Sequence, residues 1–146
     1  MYFFLPLIVL LVADQAVKHL IRTTMVEGQS IPIIQNIFHI TYIENPGAAF
    51  GILANQRILF LVLTAMIVGV MVYLYISLRN KKSLTAISLG IVVSGAIGNF
   101  IDRFLQGTVT DFLDFRIWPI FNIADICICV GIALICYFVI IKGEDL

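Results

Sequence analysis

The sequence predicts an all-α membrane protein: four transmembrane helices with a small β-structured extracytoplasmic element. Three observations predict it. The 146 residues are 61% hydrophobic and only 12% charged, whereas soluble chains average about 45–50% apolar and about 25% charged. Four apolar runs approach the roughly 20 residues a helix needs to cross a bilayer. Between the first two lies a stretch whose apolar residues alternate with polar ones, the period of a strand.

The runs are taken in order, within one membrane domain covering the whole chain. The first spans about residues 2–20 and carries Asp14, Gln15 and Lys18 in its second half. It has no basic residue ahead of its apolar core and no clean A-x-A site, so it is read as a retained span and not a signal peptide. The second, about 58–78, has no charge. The third, about 84–101, is closed by Asn99, Asp102 and Arg103. The fourth, about 120–141, opens with Asn122 and Asp125. Four spans put both termini on one side. The short link Arg79-Asn80-Lys81-Lys82 is basic, which places it, and both termini, in the cytoplasm.

Two outer connections remain, residues 22–56 and 103–119. In the first, Phe38, Ile40 and Tyr42 alternate with His39 and Thr41, which suggests short strands forming a sheet on the membrane surface. Asn45-Pro46-Gly47 ends that pattern, since Pro fixes φ and Gly frees it. Small residues follow, Ala48-Ala49-Phe50-Gly51. In the second connection, Asp111 and Asp114 fall on opposite faces of an extended segment, so only one can face the helices. Asp114 is read as a solvated loop acid, and Trp118 as an interfacial anchor.

Composition excludes several functions. Net charge is zero, so no basic field suggests nucleic acid. Cys127, Cys129 and Cys136 lack metal or redox spacing and are read as packing residues. No H-E-x-x-H motif is present, so no metal is expected. Ser94-Gly95 lacks a histidine placed to activate the serine, and Gly90, Ser94 and Gly98 read instead as a small-residue stripe for helix packing.

Carboxylates remain. A carboxylate at the bilayer centre costs roughly 2.5–3.5 kcal/mol on insertion scales. Yet Asp14 with Lys18, Asn99 with Asp102, and Asn122 with Asp125 all fall at the outer ends of their spans. Costly groups from three helices thus share one depth. Asp14 and Lys18 have the favourable i,i+4 order for an ion pair. Asp102 could pair with Arg103 to lock the fold. Asp125 has no cation in its own span, so it needs a partner from elsewhere, or a proton. Two aspartates sharing one proton can activate water for peptide hydrolysis, because like charges a few ångströms apart do not both ionise readily. Asp125 is one candidate; Asp111 or Asp102 is the other. Two other classes stay open: a lipid-binding protein whose acids only order the bundle, and a proton-coupled transporter. The acids cluster at one end instead of tracing a path, which weighs against transport.

Five blocks carry a resemblance: DQAVK (Asp14–Lys18), NPGAAFG (Asn45–Gly51), GNFIDR (Gly98–Arg103), VTDF (Val109–Phe112) and FNIAD (Phe121–Asp125). In order and spacing they resemble the motifs of the lipoprotein signal peptidase (signal peptidase II) family. The resemblance implies an intramembrane aspartyl endopeptidase of the bacterial cytoplasmic membrane, with its site at the outer leaflet. It implies a four-helix bundle with a β-cradle and a helical segment over the site. The substrate would be a prolipoprotein, cut before a diacylglyceryl-modified cysteine that stays among membrane lipids. Globomycin-type peptides would inhibit it, and no cofactor would be needed. The same resemblance assigns catalysis to Asp111 and Asp125. It leaves Asp102 as a support linked to Arg103. Asp14, Lys18, Asn45, Gly47, Asn99, Arg103, Asn122 and Ala124 match positions that line or brace the pocket. This chain departs from the family in having Pro46 where Thr is common, and in a short stretch between Asp111 and Asp125.

Overall fold

The computed structural model describes residues 1–47, 53–78 and 84–143. The element order is α1 (Phe4–Thr24), β1 (Ser30–Ile34), β2 (Phe38–Asn45), α2 (Arg57–Ser77), α3 (Leu84–Gln106), β3 (Val109–Asp114) and α4 (Ile123–Cys136), which runs on into a π-helical turn, Tyr137–Ile141. Four helices are long and apolar enough to cross a membrane. The basic link 79–82 and the segment 48–51 lie outside the described residues.

Helix ends differ from the expected ones for identifiable reasons. The third span does not close at Asn99–Arg103. Nothing in Asp102-Arg103-Phe104-Leu105-Gln106 breaks a helix, and α3 continues until Gly107, whose φ of +86° supplies a left-handed C-terminal cap. The Gly107 N–H donates to the Arg103 carbonyl at 3.1 Å. The fourth helix starts at Ile123, later than expected, because Asn122 is extended and caps it.

Helix α3 is the axis of the bundle, packing against α1, α2 and α4. Its small residues make that possible. A Cβ on Gly95 would collide with the Ala124 carbonyl of α4, and one on Gly98 would meet Asp14 Oδ2 of α1 at 2.6 Å. The stripe Gly90/Gly98 thus receives α1 and neighbouring Gly95 receives α4, the close approach small residues allow in membranes. Helix α2 has no buried residue. It is apolar all round, as a helix solvated by lipid must be.

The strands form one antiparallel sheet in the order β1-β2-β3. The β1–β2 hairpin turns at Asn36, whose φ of +61° suits an asparagine. In the β2–β3 register, Ile43 faces Asp111 and Asn45 faces Val109. Ile21 and Met25 of α1 and its C-cap pack with Phe112 of β3, which fastens the sheet to the bundle. Burying a side chain such as Phe112 contributes roughly 1.5–3 kcal/mol. Leu113 and Phe121 exchange backbone hydrogen bonds, Leu113 N–H to Phe121 O at 2.8 Å and Phe121 N–H to Leu113 O at 3.1 Å. That bridge closes the 114–120 loop. It brings the residue after it, Asn122, beside β3. The sheet, the last turns of α1 and α3, and the first turn of α4 therefore meet at one end of the bundle; at the other, Phe3 at the start of α1 packs with Leu78 after α2 and Ala86 early in α3.

Candidate active site

Asp111 and Asp125 border one cavity of about 390 Å³, together with Asn45, Gly47, Asn99 and Arg103. Two elements deliver the acids. Asp111 is on β3, buried with 2% of its surface exposed. Asp125 is in the first turn of α4.

Three asparagines hold the acids. Asn122 Nδ2 donates to Asp111 Oδ1 at 2.6 Å, and Asn45 Nδ2 donates to Asp111 Oδ2 at 2.9 Å. Asn99 Nδ2 donates to Asp125 Oδ1 at 2.7 Å. Asn122 also donates its backbone N–H to Asp125 Oδ2 at 3.2 Å, while its own Oδ1 accepts the Asp125 N–H at 3.0 Å. The two residues form a capping box, which satisfies two N–H groups that a helix start leaves unpaired. The partner Asp125 lacks in its own span is therefore Asn99, from α3.

Burial pushes the Asp111 carboxyl up to about 7, and the negative charge of Asp125 adds to the rise. The Asn45 and Asn122 amides and the Lys18 charge pull the other way. A carboxyl poised near neutrality can both give and take a proton.

Asp102 belongs to a different cluster. It is fully buried, with Lys18 Nζ 2.8 Å from its Oδ2 and Arg22 Nη1 3.5 Å from its Oδ1. The expected Asp102–Arg103 link is replaced by these α1 cations, because successive residues on a helix point apart. Arg103 instead donates to the Gly47 carbonyl at 2.9 Å and lies over the Phe60 ring at 4.5 Å. It thus ties α3 to the turn after β2 and to α2. The Asp14–Lys18 pair is present, 3.0 Å apart. Asp14 Oδ1 also accepts the Ala124 N–H at 2.9 Å, pinning the start of α4 to α1. Ala124 is fully buried. Its smallness lets Gly95 and Gly98 reach it. The Gly47 N–H donates to Asn45 Oδ1 at 3.0 Å, an Asx turn that orients Asn45.

Two other expectations need correction. Asp114 is not a solvated acid: it is buried, accepting from Thr41 Oγ1 at 2.7 Å and Arg116 Nη1 at 2.9 Å. Burial alone would raise it, but the Thr41 and Arg116 hydrogen bonds and the Arg116 charge hold it below the usual carboxylate range. Of the cysteines, Cys127 is buried packing, but Cys129 borders the cavity and Cys136, at the other end of α4, is exposed on the side of the bundle.

Sequence reasoning assigns no role to Gln15, Arg22, Glu44 or Thr110. Gln15 Nε2 reaches Asp14, the Gly98 carbonyl and Asp102 at 3.2–3.3 Å. Thr110 accepts from Arg22 at 3.0 Å and donates to Glu44 at 2.9 Å. A long-range contact of this kind leaves no periodic signal. Among the described residues, no three His, Cys, Asp or Glu side chains converge as a metal site.

Comparison with known proteins identifies the family and the fold. The profile of the peptidase A8 family, signal peptidase (SPase) II, matches residues 7–141. The chain is 43% identical over 137 residues to the lipoprotein signal peptidase of Pelotomaculum thermopropionicum, covering 94% of this chain and 90% of that one. It is 45% identical over 132 residues to that of Halothermothrix orenii, covering 90% of each. A solved bacterial membrane enzyme structure superposes with a TM-score of 0.87 at 36% identity, covering 95% of this chain and 87% of the other. A second superposes at 0.81, also at 36% identity, covering 97% and 92%.

Proposed function

Because this chain belongs to the signal peptidase II family, we propose that it is an aspartyl endopeptidase that cuts prolipoproteins just before their diacylglyceryl-modified cysteine. The observation that carries the reading is the meeting of Asp111 and Asp125 at one cavity, on separate elements, each held by asparagine amides.

The pair shares one proton. One carboxylate takes a proton from water as the oxygen attacks the scissile carbonyl carbon. The other acid gives its proton to the carbonyl oxygen, producing a neutral tetrahedral diol. The acid that took the water proton then gives it to the amide nitrogen while the other carboxylate takes a proton from a diol hydroxyl; the C–N bond breaks, the C=O of the product acid re-forms, and the pair again holds one proton. The proton belongs to the pair, so neither acid is named the base. Asn99, Asn122 and Asn45 donate only N–H groups to the acids and fix their orientation. Preorganised dipoles of this kind lower the barrier without having to reorient during the reaction.

The position of the site accounts for the substrate. Asp111 and Asp125 lie at the end of the bundle opposite the start of α1 and the end of α2. The basic link 79–82 assigns the termini to the cytoplasm, so the cavity opens at the outer leaflet. Water reaches the peptide there while the acyl chains stay among lipid tails. That position suits the substrate that the family resemblance implies, a lipidated prolipoprotein among membrane lipids, and the same resemblance supplies globomycin-type peptides as competitors for the cavity.

The test is cleavage of a diacylglyceryl-modified prolipoprotein by the purified protein in detergent, with the cut mapped by mass spectrometry. A single new N-terminus at the lipidated cysteine, and no cleavage of the unlipidated precursor, is the expected result. Cleavage elsewhere, or equal turnover of both forms, contradicts the reading.

A further inference from the structure

Lys18 is fully buried and touches neither acid of the pair. Its ammonium is surrounded by three acceptors: Asp14 Oδ2 at 3.0 Å, Asp102 Oδ2 at 2.8 Å and Asn99 Oδ1 at 2.9 Å. The two carboxylates balance charge, a role one of them could fill. The third contact is different in kind. An ammonium has three donors and no acceptor, so the group of Asn99 that faces it must be the oxygen. The nitrogen of the same amide must then face the other way, where Asp125 Oδ1 lies 2.7 Å off. Asn99 Oδ1 accepts a second hydrogen bond from Asn122 Nδ2 at 3.1 Å, so both donors at that oxygen enforce one orientation.

We infer that Lys18 is a positioning residue for proteolysis: by locking the Asn99 amide it keeps Asp125 Oδ1 a hydrogen-bond acceptor and aims the carboxyl at the cavity. The inference rests on the proposed pairing of Asp111 with Asp125. Without the ammonium, only the longer bond from Asn122 Nδ2, at 3.1 Å, still holds the amide; the weakened restraint lets it turn or flip and present its oxygen to Asp125, which would turn the carboxyl or recruit the shared proton to the wrong oxygen. Misplacement of a reacting group by about 1 Å can cost about 100-fold in rate. Substrate binding, which uses the cavity wall, should change little.

Lys18→Met alone leaves two buried acids with only Arg22 nearby and is expected to fold poorly. Lys18→Met/Asp14→Asn removes one charge of each sign and keeps Arg22 for Asp102. This pair is measured for thermal unfolding in detergent and for kcat and KM on the lipidated substrate. It is also placed on an Asn99→Ala background, with Asp14→Asn as control. The expected result is a folded double variant whose kcat is about 100-fold below the Asp14→Asn control with KM within threefold. On Asn99→Ala the further loss should be less than threefold, because Lys18 acts through Asn99. A folded double variant with kcat within threefold of the control overturns the inference. So does a loss that multiplies in full on the Asn99→Ala background, which means Lys18 acts by another route. Should the double variant unfold, Lys18→Arg decides: a folded protein with full kcat supports donor positioning, and a folded protein with kcat down 100-fold or more contradicts it. Asp111→Asn is run beside these. Wild-type turnover by that variant removes the paired acids themselves, a failure of the proposed function that is distinct from a failure at Lys18.

Discussion

Asn122 and Asp125 cap the fourth helix reciprocally, and through that cap the backbone of one strand-like residue holds a carboxyl of the candidate active site. Asn122 Oδ1 takes the Asp125 N–H at 3.0 Å. Asp125 Oδ2 takes the Asn122 N–H at 3.2 Å. The remaining Asn122 group, its amide nitrogen, reaches Asp111 Oδ1 at 2.6 Å. One asparagine thus makes a helix end and joins the two acids.

These two duties separate in Asn122→Ser. Serine is as good an N-cap as asparagine, so the helix start survives. Its short hydroxyl does not replace the amide donor to Asp111. Stability should fall by about 1–3 kcal/mol by thermal unfolding, because the donor to both Asp111 Oδ1 and Asn99 Oδ1 is lost and leaves buried acceptors short of a partner. Cleavage should fall about 100-fold or more, as when one preorganised donor is removed. Equal losses in both measurements would mean the asparagine is only a cap.

Asp111 gives stability a pH dependence of known sign. Burial, then the charge of Asp125, push its carboxyl up to about 7, against about 3.9 in an unfolded chain. Between those values the folded protein holds a proton that the unfolded chain has released. Stability from this group therefore falls as pH rises from about 4 to about 7, and levels off above. At 1.36 kcal/mol for each pKa unit, the fall between pH 5 and pH 7.5 is about 2–3 kcal/mol. Asp111→Asn lacks this slope. Its unfolding temperature relative to wild type should rise across that interval, as measured by thermal scans in one detergent. A constant difference contradicts the raised carboxyl.

Gly95 permits the contact that places Asp125. A Cβ there would run into the Ala124 carbonyl, which is backbone and cannot swing aside. Gly95→Ala should cost roughly 1–3 kcal/mol of stability as an overpacked contact. It should also push the start of α4 away from Asn99, so cleavage falls more than stability does. By contrast, a Cβ added at Gly69 would meet nothing within 4 Å. Gly69→Ala should lose neither stability nor activity; the two variants are compared by unfolding temperature and turnover.

Membrane physics leaves strong marks on a sequence, and several elements here carry them. A charged residue in an apolar run is costly, so Asp14, Asp102 and Asp125 stand out on their own. The alternation at Phe38–Tyr42 marks β2 because strands have a period of two. Other features carry no local mark. Asp102 and Arg103 are neighbours in sequence, yet Asp102 turns to Lys18 and Arg103 to Gly47, since adjacent helical residues diverge by about 100°. Asp114 reads as a loop acid until Thr41, distant in sequence, is seen donating to it. At the end of α3, polar residues imitate a terminus, whereas Gly107 is the actual stop signal. The residue pattern alone leaves Asp102 and Asp111 as rivals. What separates them in space is that Asp111 borders the cavity while Asp102 is enclosed by Lys18 and Arg22.

The central claim is that Asp111 and Asp125 act as one proteolytic pair, and the most direct measurement is turnover of a diacylglyceryl-modified prolipoprotein by folded Asp111→Asn, Asp125→Asn and Asp102→Asn beside wild type. The account predicts no detectable cleavage by the first two, each inserted and folded. It predicts residual cleavage by Asp102→Asn in proportion to the fraction that folds, since losing one partner of a buried ion pair costs about 3–5 kcal/mol. Substantial turnover by folded Asp111→Asn, with none by folded Asp102→Asn, would contradict it and make Asp102 the partner of Asp125.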